Sequence, residues 1–493
     1  MKNEMDVILI KPDIIDHQVT KDSTRGPVVT PHGLLYTAAM LRDKGYKILI
    51  IDEVLEKDPY NLLSDALNSN PICVGLGVTS GSQIKNGLKF ASIVRKKSNI
   101  PIIWGGPHPA EWPEQTLEDD LVDAIVMGES EISFPNLVKS YENNDSLADI
   151  KGIGYKDTNG IHINLPENPV ELDDIPRMPY DLIDMEAYMA HLNKNKISRG
   201  VEMVTSRGCP YRCTFCHQSI LKEKWRYRSA ERMVDDIEYL IENYQADGIL
   251  FEDELYFTRK HRVFEFCEEM VKRNIKIVIR GAAVRCNLFS SLTEAELKLL
   301  KKAGFDHFGI GIESGSERIL VDVLDKGINH DQIYDTNDIM KEYGFAVTYN
   351  FMSGIPGETL KDYVKTLKLM YHLLRTNEHL IAPVGVPKFF YPYTNTILGN
   401  KCIAEYGFKF PKTFRDWGNY QYINDGCSWR TPEFDRLAIK AMDIILNLRP
   451  KFIGENSNIN EDDYQPLLNL IDEVKSVASS AKNITNTTEQ ISA

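Results

Sequence analysis

Ser206-Arg207-Gly208-Cys209-Pro210-Tyr211-Arg212-Cys213-Thr214-Phe215-Cys216-His217 places three of the chain's eight cysteines within eight residues, directly after the strand-like run Met203-Val204-Thr205. The spacing is C-x3-C-x2-C. Three thiolates on one loop can hold three irons of a cubane and leave the fourth without a protein ligand, a corner open to a small molecule. Structural zinc is the competing reading. It wants four ligands, usually in two separated pairs. No second C-x2-C occurs, and His217 adjoins Cys216 too closely for an unstrained tetrahedron.

On the carboxyl side of this loop, Ile249-Leu250-Phe251, Ile277-Val278-Ile279, Phe308-Gly309-Ile310-Gly311-Ile312 and Val347-Thr348-Tyr349-Asn350 alternate with amphipathic helical patterns. That rhythm predicts a parallel β/α barrel, complete or partial, over residues 199–380. On the amino side, Val7-Ile8-Leu9-Ile10, Lys47-Ile48-Leu49-Ile50-Ile51, Cys73-Val74-Gly75-Leu76, Ile102-Ile103-Trp104 and Asp123-Ala124-Ile125-Val126-Met127 are short apolar runs between helical stretches. They predict a doubly wound, Rossmann-like parallel sheet over residues 1–145, with its ligand beyond the strands' carboxyl ends. The fold class is α/β. Residues 146–198, with the turn Asp157-Thr158-Asn159-Gly160 and the run Ile175-Pro176-Arg177-Met178-Pro179, are expected to be a linker carrying a hairpin. Residues 381–475 are expected to form a mainly helical cover over the barrel, and 476–493, small and polar, a disordered tail.

Composition narrows the partners. A net charge of -14 in 493 residues argues against a broad nucleic-acid surface, which needs clustered Lys and Arg. No apolar run reaches the roughly 18 residues of a spanning helix, and Met1–Asp6 is too polar to begin a secretory signal. A cytoplasmic location is expected, with a small molecule or peptide as substrate. Cys73, Cys267, Cys286, Cys402 and Cys427 are scattered and read as small buried hydrophobes.

The cysteine loop resembles the radical SAM (S-adenosylmethionine) signature C-x3-C-x-aromatic-C, with Phe215 at the aromatic position. The resemblance implies a 4Fe-4S cluster on Cys209, Cys213 and Cys216, SAM chelated to the open iron, and one-electron cleavage to a 5'-deoxyadenosyl radical. It also implies a one-electron reductant such as ferredoxin or flavodoxin. Further segments follow in the family's order. Phe251-Glu252-Asp253-Glu254-Leu255-Tyr256-Phe257 resembles the acidic segment after the second barrel strand, with Glu254 where Asp is usual. Gly309-Ile310-Gly311-Ile312-Glu313-Ser314-Gly315-Ser316 resembles the glycine-rich strand end whose Glu reaches SAM, a carboxylate suiting ribose hydroxyls or an ammonium. Arg285 fits the family's position for pairing with the SAM carboxylate better than Arg280. Gly354-Ile355-Pro356-Gly357-Glu358-Thr359 recurs near the adenine. The residues so implied for SAM are Phe215, Asp253, Glu254, Arg285, Glu313 and Ser314.

The amino-terminal segments Gly75-Leu76-Gly77-Val78-Thr79-Ser80, Trp104-Gly105-Gly106-Pro107-His108-Pro109 and Met127-Gly128-Glu129-Ser130-Glu131 resemble the cobalamin-binding domain that precedes many radical SAM barrels. No G-x-G-x-x-G follows the first strand, so a plain dinucleotide site is not expected. The resemblance implies cobalamin contacts at Gly75, Gly77, Thr79, Ser80, Gly105, Gly106, His108, Gly128 and Glu129. Asp-x-His-x-x-G, the source of a lower His ligand in some cobalamin proteins, is absent, and His32 and His108 suit packing or hydrogen bonding better than cobalt. Both halves together are similar to class B radical SAM methyltransferases, which implies methylation of an unactivated carbon through methylcobalamin at the expense of two SAM per turnover. Radical cyclisation, ring contraction or oxidative ring formation uses the same parts without methyl transfer. A non-catalytic iron-sulfur or cobalamin sensor is a third reading, but it has no need for the SAM-side segments. No general acid or base is assignable from the sequence.

Overall fold

Strands β1 (Val7–Lys11), β2 (Ile48–Asp52), β3 (Cys73–Gly77), β4 (Ile102–Gly105) and β5 (Ala124–Val126) pair in parallel in the order β2-β1-β3-β4-β5. The computed structural model describes residues 5–15, 27–166, 168–192, 197–221, 224–377, 388–420, 427–452 and 459–491. The strands' unbroken apolar runs are explained by helices on both faces, which cover Val7, Ile8, Val74, Ile102 and Ile125 completely. The order reverses between β1 and β3, and ligands of such sheets sit at the carboxyl ends beside that switch.

This first unit comprises Met1–His191 and, returning from far along the chain, Phe410–Asp425. Both facts depart from the expected boundaries. The hairpin expected in a linker is the sheet's outer edge: β6 (Ile153–Asp157) runs antiparallel to β5, and β7 (Gly160–Asn164) antiparallel to β6. It pairs an edge that β5 would otherwise leave open. The segment expected to lie over the barrel packs instead beside helix Ser82–Lys97. There helix Phe414–Gly418 sets Phe414 edge-on to Trp104 at 5.0 Å, and Trp417 donates to Gln115 at 2.6 Å.

The second unit, Leu192–Lys409 and Gly426–Ala493, holds the cysteine loop. Its strands are β8 (Gly200–Met203), the short antiparallel ladder β9 (Ser206–Arg207) with β10 (Arg226–Tyr227), β11 (Gly248–Phe251), β12 (Val278–Arg280), β13 (Ala282–Val284), β14 (His307–Glu313), β15 (Ala346–Ser353) and β16 (Lys388–Phe389). All but the ladder are parallel, in the orders β8-β11-β12 and β13-β14-β15-β16. Gly281 joins the two runs. Its φ of +77° turns β12 into β13, where a Cβ would stand 2.7 Å from the Phe251 carbonyl. The result is the partial barrel that the rhythm of runs predicts. Its expected end near residue 380 lies outside the described residues.

Helices follow from the same patterns. In Ala230–Tyr244, Ser229 caps the first turn by accepting from the Arg232 N–H, and Met233, Ile237 and Leu240 bury one stripe. The tail expected to be disordered is helical through Gln465–Ile491. Leu467, Leu470, Ile471 and Val474 bury its first turns, partly against helix Leu360–Thr376, and no Pro or Gly interrupts residues 476–491. Residues 492 and 493 lie outside the described residues. Among the described residues no helix is long and apolar enough to cross a membrane.

Candidate functional site

The chemistry-bearing side chains of the second unit gather where its parallel strands end, the face on which barrel folds carry their sites. After β8 the chain is held by one carboxylate. Asp253 accepts from the Thr205 and Ser206 backbone N–H groups at 2.5 and 2.8 Å and from the Thr205 hydroxyl at 2.6 Å. Arg262, fully buried, donates to Thr205 Oγ1 at 2.5 Å and to its carbonyl at 3.1 Å, and stands 3.8 Å from Asp253. Asp253, implied by resemblance as a SAM contact, therefore spends its oxygens anchoring the loop.

Past this anchor come the cysteines. Cys213 is buried and Cys209 and Cys216 half-buried, and none is in a disulfide. Burial pushes the Cys209 and Cys216 thiols up, and each feels the charge of its loop partners, so the three sulfurs share one neighbourhood. Two cations face them. Arg285 Nη1 lies 3.7 Å from Cys213 Sγ, its guanidinium stacks 3.9 Å from the Tyr211 ring centre, and Nη2 donates to the Lys326 carbonyl. The Lys326 ammonium lies 5.6 Å from the Phe215 ring centre and pairs with Glu313 at 2.8 Å. Arg280, the alternative cation, is occupied by Asp306 at 2.7 Å.

Hydrogen bonds sew the loop to its surroundings. Thr214 donates its N–H to Leu324 O at 3.1 Å and its hydroxyl to Val323 O at 2.6 Å, and its carbonyl accepts from Leu398 N at 3.0 Å. Glu254 accepts from Gln218 at 3.0 Å and adds negative charge near Cys209. Ser314 is fully buried, 3.2 Å from the Thr366 hydroxyl and accepting from the Ser316 N–H. It fastens the strand end to helix Leu360–Thr376.

Two features were not legible in the sequence. Lys326 sits in a run without periodic or spacing signal, and only its neighbours in space reveal it. Trp429 donates to the Gly354 carbonyl at 2.8 Å while Arg430 stacks 4.3 Å from the Phe389 ring centre, so a late segment caps the Gly354–Glu358 turn. An aromatic beside an arginine in a loop carries no pattern from which that contact follows.

The acidic segment also contributes a proton site. The register of β8 on β11 opposes Glu202 to Leu250, so Glu252, two residues on, shares their face. Desolvation by its neighbours first, then Glu202 and Asp253, push Glu252 up to about 7, although the residue itself stays exposed to solvent. A carboxyl raised from 4.5 to about 7 on folding binds more protons folded than unfolded in that window, so stability falls as pH rises through it. Glu252→Gln, which mimics the protonated form, is expected to match the wild type near pH 4 and, above pH 7, to exceed its urea midpoint only slightly, because solvent at the exposed carboxyl screens the repulsion. Equal midpoints at both pH values would contradict the assignment.

In the first unit the glycines divide into two groups. Gly75 and Gly77 are packing positions, where a Cβ would press on Leu9 and Phe134 at 2.9 and 3.0 Å and on Leu34 at 3.2 Å. Gly105, Gly106 and Gly128 lie at the ends of β4 and β5. Gly106, at φ +99°, brings its backbone so near Val78 that a Cβ would stand 2.6 Å from that carbonyl, while Gly128 faces open space. Thr79 donates its N–H and hydroxyl to Gln83 Oε1 at 2.9 and 2.8 Å, and Glu129 precedes helix Ser130–Asn143 as its cap residue. His108 is fully buried, 2.8 Å from Ser80 Oγ through Nδ1, between Phe414 and Trp417 at 5.5 and 5.3 Å. Burial lowers its pKa to about 3 and keeps it neutral. It is enclosed by aromatic rings and not offered to a metal. A strand edge cleared of side chains fits a large flat ligand held by backbone, without an imidazole from His108.

Residues 203–370 match the family model of the radical SAM superfamily, and residues 22–138 that of the B12 binding domain. An uncharacterized methyltransferase of Pyrococcus horikoshii is 31% identical over 370 residues, which cover 74% of this chain and 77% of that protein. The chain belongs to the cobalamin-dependent radical SAM family. Its cofactors are a 4Fe-4S cluster, SAM and cobalamin, and as a radical SAM enzyme it needs a reductant and a substrate. Among other family members, an anaerobic magnesium-protoporphyrin IX monomethyl ester cyclase of Rubrivivax gelatinosus is 27% identical over 350 residues, 69% of this chain and 61% of the cyclase. The fold is that of the cobalamin-dependent SAM radical enzyme OxsB, solved with aqua-cobalamin and SAM (TM-score 0.67, 17% identity, 96% of this chain and 72% of that one). It is also that of the radical SAM methyltransferase TsrM from Kitasatospora setae (TM-score 0.64, 17% identity, 81% of this chain and 76% of that one).

Proposed function

We propose that this radical SAM enzyme is a methyltransferase that methylates an unactivated carbon of a small molecule or peptide, with electrons from a ferredoxin or flavodoxin. The observation that carries its SAM-cleaving half is the cysteine loop, fixed by Asp253 and faced by Arg285 and Lys326. Methyl transfer is supported by the Pyrococcus relative's designation. When bound, the cluster supplies the electron that breaks the SAM sulfonium bond and cobalamin supplies the methyl group.

The chain's own residues do the rest. Cys209, Cys213 and Cys216 hold the cluster, and Arg285 beside Cys209 and Lys326 beside Cys216 oppose the burial that pushes those two thiols up. Phe215, Glu254 and Glu313 border SAM, with Gly309 leaving open space on the same strand as Glu313. The backbone at Gly105, Gly106 and Gly128 holds cobalamin. Helix Ile397–Tyr406 and residues 427–430 serve as the cover that keeps water from the barrel mouth.

The Rubrivivax relative favours a second reading, ring formation without methyl transfer. Anaerobic turnover with SAM, a low-potential reductant and a substrate-bearing metabolite extract separates the two. Methylation is expected to yield S-adenosylhomocysteine and 5'-deoxyadenosine in equal amounts. Deoxyadenosine accumulating over many turnovers without S-adenosylhomocysteine would replace methylation by the ring-forming reading.

A further inference from the structure

The three cysteines lie on one excursion of the chain, from β9 out and back to β10, whose strands pair Ser206 with Tyr227 and Arg207 with Arg226. Arg207 stands two residues before Cys209. Like charges opposite each other oppose the pairing of so short a ladder, so stability alone does not account for them. Side chains from the next helix gather on the same ladder. Trp225 stacks on Tyr227 at 4.5 Å between ring centres, the Arg259 guanidinium lies 5.9 Å from the Trp225 ring centre, and the Tyr227 hydroxyl is 3.5 Å from His261 Nε2. These contacts bring Trp225, its neighbour Lys224, Tyr227, Arg259 and His261 to one surface at the neck of the cysteine excursion.

Charge on that surface is not neutralised locally. The buried arginines beside it have carboxylates, Arg228 at 2.9 Å from Asp236 and Arg262 at 3.8 Å from Asp253. Lys224 and Arg259 are exposed and pair with no carboxylate among the described residues. The chain carries a net charge of -14, so an acidic partner is repelled by most of its surface and drawn to such a spot. Trp, Tyr and Arg are also the residues in which the energetic centres of protein interfaces are enriched, and Trp225, Tyr227 and Arg259 meet here. The rings supply area, and the cations set the partner and its approach.

We infer that this surface is where a small acidic electron carrier docks. The inference rests on the reading of the chain as a SAM-cleaving enzyme that needs a reductant, and adds where the reductant binds. Each transfer oxidises the carrier by one electron and reduces the cluster by one, and no proton or leaving group crosses the contact. A carrier has to bring its own redox centre close to the cysteines, and the neck of their excursion offers it both charge and rings. Electron-transfer encounters are small, below about 1,200 Å² of buried surface, so two unpaired cations are a large share of the recognition.

Titration calorimetry with two acidic probes, oxidised flavodoxin and oxidised ferredoxin, tests the surface without turnover. Anaerobically reconstituted full-length protein is expected to bind at least one of them at low ionic strength and to lose affinity as salt is added. The double variant Lys224→Gln, Arg259→Gln is expected to bind that carrier at least about tenfold more weakly, and Lys224→Arg, Arg259→Lys to recover most of the loss. The Gln variant should also need about tenfold more reduced carrier for half-maximal 5'-deoxyadenosine formation, while its dithionite-driven rate stays within about twofold of the wild type. Unchanged carrier affinity in the Gln variant, or a wild-type protein that binds neither probe, would overturn the inference. An equal loss of rate with carrier and with dithionite would overturn it as well, by making the two residues structural only. A wild-type protein that cleaves no SAM even with dithionite would instead bring down the SAM-cleaving reading itself, and this inference with it.

Discussion

Alanine at Cys209, Cys213 or Cys216 is expected to lower 5'-deoxyadenosine formation by at least about a thousandfold, as is usual for a group that the reaction cannot do without. Each thiolate would serve a separate iron, so removing one would leave the cubane attached at two corners and the fourth iron no longer the single open one. The loss should not come from unfolding. The loop is fixed by Asp253, Thr214 and Arg285 rather than by its sulfurs, so urea midpoints of the metal-free variants are expected to match the wild type. Cys267→Ala supplies the contrast. That thiol lies in helix Lys260–Lys272, fully buried, and its replacement should cost modest stability while leaving deoxyadenosine formation intact.

Asp253→Ala is expected to be the most destabilising single change near the site, by about 3–5 kcal/mol. The substitution strands Arg262, 1% exposed, opposite an apolar methyl and leaves the Thr205 and Ser206 N–H groups without their acceptor. Asp253→Asn keeps one acceptor oxygen and should lose less. Urea denaturation of the metal-free proteins checks the order, and iron content after reconstitution checks the consequence, since a loop released from β8 no longer presents the cysteines together. Full iron loading by Asp253→Ala would show that the anchor is dispensable to the cluster.

Local chemistry was legible in the sequence where residues act through spacing. The C-x3-C-x2-C loop, the apolar runs of both sheets and the glycines after β4 and in β14 all declare themselves within a few positions, because backbone geometry links neighbours directly. What failed to show was contact between distant segments. Trp417 meets Gln115 across 302 positions, and the aromatic residues around it look the same in sequence whether they cover the barrel or the first sheet. Asp253 illustrates a subtler limit. An acidic residue beside a strand end reads as a ligand contact, yet three hydrogen bonds from Thr205 and Ser206 turn it inward. The turn Asp157–Gly160 marks the bend between β6 and β7, but whether a hairpin stands alone or closes a sheet depends on an open edge elsewhere.

Anaerobic reconstitution with iron and sulfide, followed by incubation with SAM and a low-potential reductant, tests the central claim most directly. Wild-type protein is expected to take up one brown 4Fe-4S cluster and release 5'-deoxyadenosine, and protein with alanine at all three loop cysteines to do neither. A cluster that survives the triple replacement, or a wild-type protein that loads iron and never cleaves SAM, would contradict it.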